Sequence, residues 1–577
     1  MRPHNLVLPF AAALAGVCAT APLAQEAPAD LILHGGKIVT VDSRFSVRQA
    51  LAVRGDRIVL VGSDRDVLRL KGPKTEVVDL DGKMVLPGLI DSHTHPTDAS
   101  MIEFDHPVPE METIADVLAY IRSRAAALPE GQWIQVRQVF ITRLKEQRYP
   151  TREELDRAAP KHPVLFSTGP DASLNTLALK LSGIDRDFKV TDGGTGVVEK
   201  DASGEPTGIL RNLTRYVKVT SPPRRATEAD QRRQLLALFR DYLASGITTI
   251  GDRNASASAI ARYQALHAEG QLPLRIGVSH GVGNLGPVDK IQEDIRKVAE
   301  HPLRRGDAML RIVGIKMFLD GGMLTGSAYM REPWGVSKMY SITDPHYHGV
   351  LFIPKERLLP MVRTAVESGL QFTAHSVGDG AVHALLDAYE EVNRERAVRP
   401  TRPCITHSNF MSKEAIEKAA RLGVAVDIQP AWLFLDTHTL AAQFGYDRLR
   451  YFQPLKSLAA AGVVAGGGSD HMQKIGSLRS INPYNPFLGM WTAITRKSKS
   501  YERPLHPEEA LSREQAIRFY TGNNAYLLFK EKEVGSLEAG KLADFIVLDR
   551  DVLRCPVDDI RSTKVLSTYV NGKRAAP

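Results

Sequence analysis

Only three cysteines occur in 577 residues, Cys18, Cys404 and Cys555. The first sits in an N-terminal apolar stretch, and the other two make no disulfide framework, so a cross-linked small scaffold is excluded and their ordinary role is buried apolar filler. Long blocks of Lys and Arg are missing, as is any stripe interleaving basic and aromatic residues. The formal charge of +8 and pI near 9.1 therefore read as a mildly basic surface, not as a nucleic-acid footprint. Past residue 24 no segment is long and apolar enough to span a bilayer. Internal repeats and low-complexity tracts are lacking as well. What is there is a globular composition, 43% hydrophobic and 24% charged, able to bury a large core in more than one domain.

Met1-Arg2-Pro3-His4-Asn5 precedes an apolar stretch over residues 6–23, with small residues at Ala19, Ala21 and Ala24. This pattern predicts a signal peptide over residues 1–24, and a periplasmic or secreted protein with no stable membrane insertion after cleavage. An uncleaved anchor is the alternative, because the stretch approaches spanning length. Cys18 follows Val17 and not a small residue, which argues against lipid attachment there.

Residues 25–84 and 531–577 share a texture of short alternating apolar and polar pieces, such as residues 31–33, 50–53, 57–61, 543–548 and 565–573. Period-2 alternation predicts strands, hence a small β-sandwich domain built from both chain ends. Between them, over 85–530, run compact apolar pieces that end in polar or Gly-rich residues and mostly lead into helical patterns: 85–93, 247–252, 274–279, 310–318, 370–375, 404–407, 424–428 and 463–466. Eight such units predict an α/β fold, a (β/α)8 TIM-type barrel, whose active site forms at the carboxyl ends of its strands. Residues 97–240 are too long for one connection and carry strand-like pieces at 133–140 and 164–167, which predicts an inserted subdomain covering the catalytic face.

The residues closing these runs are rich in chemistry. Asp91-Ser92-His93-Thr94-His95 puts two imidazoles on one face of a strand end, a metal-binding spacing that is weak evidence alone. Asp252, Lys316, His375, His407 and Asp470 end or follow later strands, so His93, His95 and these groups converge at one mouth. Lys316 lies within the apolar run 312–318, where an unpaired ammonium is costly. Either a buried salt bridge neutralises it, or carbon dioxide has converted it to a carbamate able to bridge two cations.

Several of these pieces together resemble the amidohydrolase superfamily, and within it the amidohydrolase-3 branch of YtcJ-like and N-substituted formamide deformylase-like enzymes. They are Val85-Leu86-Pro87-Gly88-Leu89-Ile90-Asp91-Ser92-His93-Thr94-His95, Gly246-Ile247-Thr248-Thr249-Ile250, Lys316-Met317-Phe318-Leu319-Asp320-Gly321, Ala374-His375-Ser376-Val377-Gly378-Asp379, Gly468-Ser469-Asp470 and the return segment 534–544. The resemblance implies a metal and catalytic set of His93, His95, Lys316, His375, His407 and Asp470, a carboxylated Lys316, and one or two divalent ions, commonly Zn2+. Asp171, Asn212 and Thr406 depart from the branch, which is commonly histidine at the first position and glutamate at the others; they bear on the substrate more than on the chemistry.

A metal-lowered water pKa with a polarised carbonyl leads to hydrolysis, with Asp470 as general base or mainly as ligand. The expected function is cleavage of an amide-like C–N bond in a small organic molecule. Ring deamination and ester or carbamate hydrolysis compete on the same site; a non-hydrolytic isomerase and an inactive binding protein are further alternatives. Arg143, Asp171, Arg253, Tyr329, Trp432 and His471 are substrate-binding candidates by placement. A small molecule is the expected partner, nucleic acid is not, and self-association stays open.

Overall fold

The computed structural model describes residues 1, 27–137, 139–220 and 225–576. All but the first residue of the expected leader lies outside this range. Eight strands form one parallel sheet: β1 (Leu89–Thr94), β2 (Ile247–Ala255), β3 (Arg275–Gly281), β4 (Leu310–Phe318), β5 (Gln371–Ser376), β6 (Cys404–His407), β7 (Ala425–Ile428) and β8 (Ala465–Gly467). Each pairs with its neighbours in chain order. Beyond β8 the chain returns to β1 through a parallel bridge between Thr94 and His471 and a 2.8 Å bond from the Asp470 N–H to the His93 carbonyl. The sheet thus curls into the expected barrel.

Local sequence explains these pieces. Ile247-Thr248-Thr249-Ile250 is β-branched and wholly buried, as a strand covered on both faces requires. The helix Lys413–Leu422 starts where the Ser412 hydroxyl accepts the Ala415 N–H and stops at Gly423, which takes a left-handed φ of 71°. Helices such as Ala257–Ala268, Val288–Glu300, Lys355–Glu367 and Asp379–Glu395 turn apolar faces onto the sheet and share one core with it.

One apolar run divides. Residues 85–93, read as a single strand, are two: Met84–Pro87 pairs with Phe545–Leu548 and Lys37–Val39 in the small domain, and Leu89–Thr94 opens the barrel. Gly88 makes the switch, since a Cβ there would lie 2.2 Å from the Thr248 hydroxyl. The small domain holds a four-stranded and a six-stranded sheet, and Leu33, Leu51, Val85, Phe545 and Val547 of the two sheets share a core. Residues after β1 build a five-stranded sheet that includes Ile134–Arg137 and Val164–Ser167. Within the span expected to be insertion, the helix Glu228–Ala244 leads straight into β2 and buries Leu238, Phe239 and Tyr242 in the barrel core.

Candidate metal centre

β1 delivers the first donors. Asp91 accepts the N–H groups of His93 and Ser469, each at 3.0 Å, which ties the end of β1 to the loop after β8. The Nε2 atoms of His93 and His95 lie 3.2 Å apart, and Asp470 Oδ1 lies 3.3 Å from the first and 3.2 Å from the second. Among the described residues, no other three His, Cys, Asp or Glu side chains bring ligand atoms this close. Tetrahedral ligands about 2.1 Å from a centre stand about 3.4 Å from one another. The spacing and chemistry of these three donors therefore fit a zinc-like ion. Asp470 sits at φ 55° and His407 at φ 76°, left-handed conformations that side chains other than glycine's seldom adopt and that gather at functional sites.

The remaining members converge on this group. The His407 ring stacks on His93 with centroids 4.9 Å apart, and His375 packs edge-on against His407 at 4.5 Å. Burial, then the positive charge of Lys316, pushes the His375 pKa down to about 3, while burial first holds His93 and His407 well below the usual range. All three rings are thus neutral and able to coordinate. Lys316 is 1% exposed. Among the described residues no carboxylate lies within ion-pair distance of its ammonium, and the Phe318 ring lies 5.3 Å from the nitrogen. Burial lowers its pKa to about 8, against the pull of Asp427 and Asp470.

Two residues of this centre were missed in the sequence. Asp427 on β7 accepts from His93 Nδ1 at 3.0 Å and from Gln429 Nε2 at 2.9 Å, and Gln429 Oε1 lies 2.7 Å from His407 Nδ1. Both side chains are fully buried. The signal that marked His93 and His95 marked them too: polar residues two apart closing an apolar strand.

The other candidates take varied places. Arg253 is buried inside the barrel, bonded to the Ser92 carbonyl, Ser279 and Gln371, with Asp427 3.4 Å away. Trp432 stacks on His407 at 4.7 Å with an interplanar angle of 19°. His471 is sealed between the Tyr242 hydroxyl (2.7 Å) and the Lys474 carbonyl (2.9 Å). Tyr329 is half-buried, and its N–H meets Asp320. Asp171 is buried and receives the Asn212 N–H and the Ser327 hydroxyl, joining the insertion to the segment after β4. Thr406 meets Thr373 and Asp427. Asp252 accepts from Tyr263, and burial raises its pKa to about 6. Arg143 forks onto Asp436 and reaches Asn482, whose amide holds the Asp470 carbonyl. Arg143 also lines a cavity of about 1060 Å³ with Phe434, His438 and Lys474.

A nearly closed parallel barrel with such a donor set at its carboxyl mouth defines a metal-dependent hydrolase architecture. The chain belongs to the amidohydrolase family, whose model (Amidohydro_3) matches residues 76–576. It is 32% identical over 564 residues to an N-substituted formamide deformylase of Arthrobacter pascens, covering 94% of this chain and 97% of that one. It is 28% identical to the putative amidohydrolase YtcJ of Bacillus subtilis, covering 94% and 98%. A solved metal-dependent hydrolase from Pyrococcus horikoshii OT3 shares the fold with TM-score 0.65 at 21% identity, covering 92% of this chain and 99% of that one.

Proposed function

We propose that this protein is a zinc hydrolase that cleaves an amide-like C–N bond, with N-formyl and N-acyl amines as the substrate class. The observation that carries the reading is the trio of His93, His95 and Asp470, whose three donor atoms stand 3.2 to 3.3 Å apart. The formamide activity named for the Arthrobacter relative supports the choice of bond.

His93, His95 and Asp470 would hold one ion; His375, His407 and a carboxylated Lys316 would hold a second. The lysine supports this. A buried ammonium repels cations, whereas a pKa near 8 leaves a sizeable share of neutral amine to take up carbon dioxide. When bound, such ions acidify a water and polarise a carbonyl. Asp470 takes the proton of the attacking water on its carboxylate and passes it to the departing nitrogen. Burial raises its pKa, which favours holding that proton. His95, the member most open to solvent at 20% side-chain exposure, faces the arriving substrate. The leader-like first residues accord with work outside the inner membrane.

The test is to strip leader-free protein with a chelator, reload it with Zn2+, and screen N-formyl amines, N-acyl amines and amino acids, cyclic amides, aminopurines and esters. Amine release from formyl or acyl amines that vanishes with the metal is expected. Zinc-loaded protein that turns over only esters, or only ring amines, would remove the C–N assignment, and protein that takes up no divalent ion would remove the hydrolase reading altogether.

A further inference from the structure

Two of the four histidines at the centre are aimed by a single strand end. Asp427 and Gln429 stand two apart at the close of β7, so both side chains enter the barrel on the same face. His93 comes from β1 and His407 from β6. A neutral imidazole carries one proton on either of two nitrogens, and the nitrogen left bare is the only one that can bind a cation. Something must decide which.

At His93 the decision is direct. Asp427 Oδ1, 3.0 Å from Nδ1, can only accept, so the proton sits on Nδ1 and the Nε2 lone pair points at His95 and Asp470. At His407 it is relayed. The neighbour of Nδ1 is the Gln429 side-chain oxygen at 2.7 Å, and an amide turned the other way round would present NH2 there instead. That alternative is closed by Asp427. Turning the amide would set its oxygen 2.9 Å from the carboxylate oxygen, two acceptors facing each other in a dry interior, where the present arrangement has a donor. One carboxylate therefore orients the amide, the amide accepts the His407 Nδ1 proton, and His407 Nε2 is left bare as well.

Asp427 stays put for its own reasons. Its second oxygen is held by the Thr406 hydroxyl at 3.3 Å and lies 3.4 Å from Arg253 Nε. Gln429 is anchored through its carbonyl, which accepts from Gln453 at 2.9 Å. Asp427 also acts on Lys316 through its charge, so Gln429, which meets the His407 ring directly, is the cleaner probe of the tautomer.

We infer that Asp427 and Gln429 are positioning residues that fix His93 and His407 in the tautomer with Nε2 free, and so set the zinc affinity of the centre. The inference rests on the metal-binding reading proposed above. Partners of this kind typically change metal affinity 10- to 100-fold when removed.

The experiment measures zinc dissociation constants by competition with a chromophoric chelator, and visible spectra of the Co2+-loaded forms. Wild type, Gln429→Met, Gln429→Glu and Asp427→Leu are compared, with the melting temperature of each metal-free protein as the control for folding. Gln429→Met keeps the length but offers His407 only a weakly accepting thioether in place of the amide oxygen. It is expected to melt like wild type without metal, to bind zinc about 10- to 100-fold more weakly, and to give an altered Co2+ spectrum. Gln429→Glu retains an acceptor toward His407 by sharing a proton with Asp427, and is expected to restore near wild-type affinity. Unchanged zinc affinity in folded Gln429→Met overturns the inference while leaving the metal centre intact. Should that variant not fold, Asp427→Leu decides, since it leaves neither His93 Nδ1 nor the Gln429 amide an acceptor, and unchanged affinity there overturns the inference equally. Wild-type protein that binds no zinc overturns this inference and the proposed function together.

Discussion

Asp470 is held from two sides. Its N–H bonds the His93 carbonyl, its own carbonyl accepts the Asn482 amide, and its backbone is left-handed at φ 55°, so the carboxylate is placed by the chain before any metal arrives. Asp470→Asn keeps size and backbone bonds while removing the site that takes a proton. Turnover should fall about 10²- to 10⁴-fold, with the fold kept and at least part of the metal retained. Single-turnover rates and metal analysis on one preparation check this, and undiminished turnover would assign the base elsewhere. At this scale the sequence was readable where chemistry broke an apolar pattern. His93, Lys316, His375, His407 and Asp470 each interrupt or close a buried run, and the structure brings them to one mouth. Asp427 and Gln429 obey the same rule and went unseen because carboxylate and amide side chains at a strand end are common, and only the three-dimensional neighbour reveals the partner. Arg143, Asp171 and His471 illustrate the reverse. Position near a strand end or in the insertion does not say whether a side chain faces outward or spends its hydrogen bonds on the scaffold, as these do.

At the scale of elements, β4 and β6 were legible to the residue, because each buried run is bounded by strongly polar or turn-forming sequence. The division at Gly88 was not. Apolar residues continue across it, and periodicity cannot show that Met84–Pro87 pairs with a strand more than four hundred residues away. Glycine roles of that kind need coordinates. Gly314, paired with Gln371 between β4 and β5, is another: a Cβ would lie 2.0 Å from the Gln371 carbonyl oxygen, which is backbone and cannot swing aside. Gly314→Ala should therefore part β4 from β5, at a cost of about 1–3 kcal/mol. Since Lys316 is two residues further along and His375 lies on the partner strand, zinc affinity should fall with stability. Urea unfolding and metal competition measure the two, and a variant with both unchanged would show that the strands have room which the structure denies them.

The whole molecule depends on how the barrel is joined to the small β domain. Arg275 on β3 forks onto Asp544 at 2.6 and 2.8 Å, each side chain about 1% exposed, and also reaches Asn571. Removing one partner strands a buried charge, so Asp544→Ala should cost about 3–5 kcal/mol, whereas the double replacement Arg275→Met with Asp544→Leu should cost much less than the sum of the single changes. Lys530 adds a pH signature to the same region. Its side chain is fully buried, with Nζ donating to the Ala308 carbonyl at 2.6 Å and Glu533 only 3.8 Å away. Burial lowers its pKa from 10.5 to about 8. The folded protein thus releases this proton at lower pH than the unfolded chain does. Between about pH 8 and 10.5 the unfolded state binds more protons, and stability rises with pH over that window; below pH 8 both states are charged and the burial cost is present in full. At 1.36 kcal/mol per pH unit, the stability of wild type relative to Lys530→Met should climb by about 3 kcal/mol across the window. Denaturant titrations of both proteins at matched pH isolate this group, because every other titration is common to the pair. A difference that stays flat, or falls, from pH 8 to 10.5 would show that the ammonium is better solvated than its burial implies.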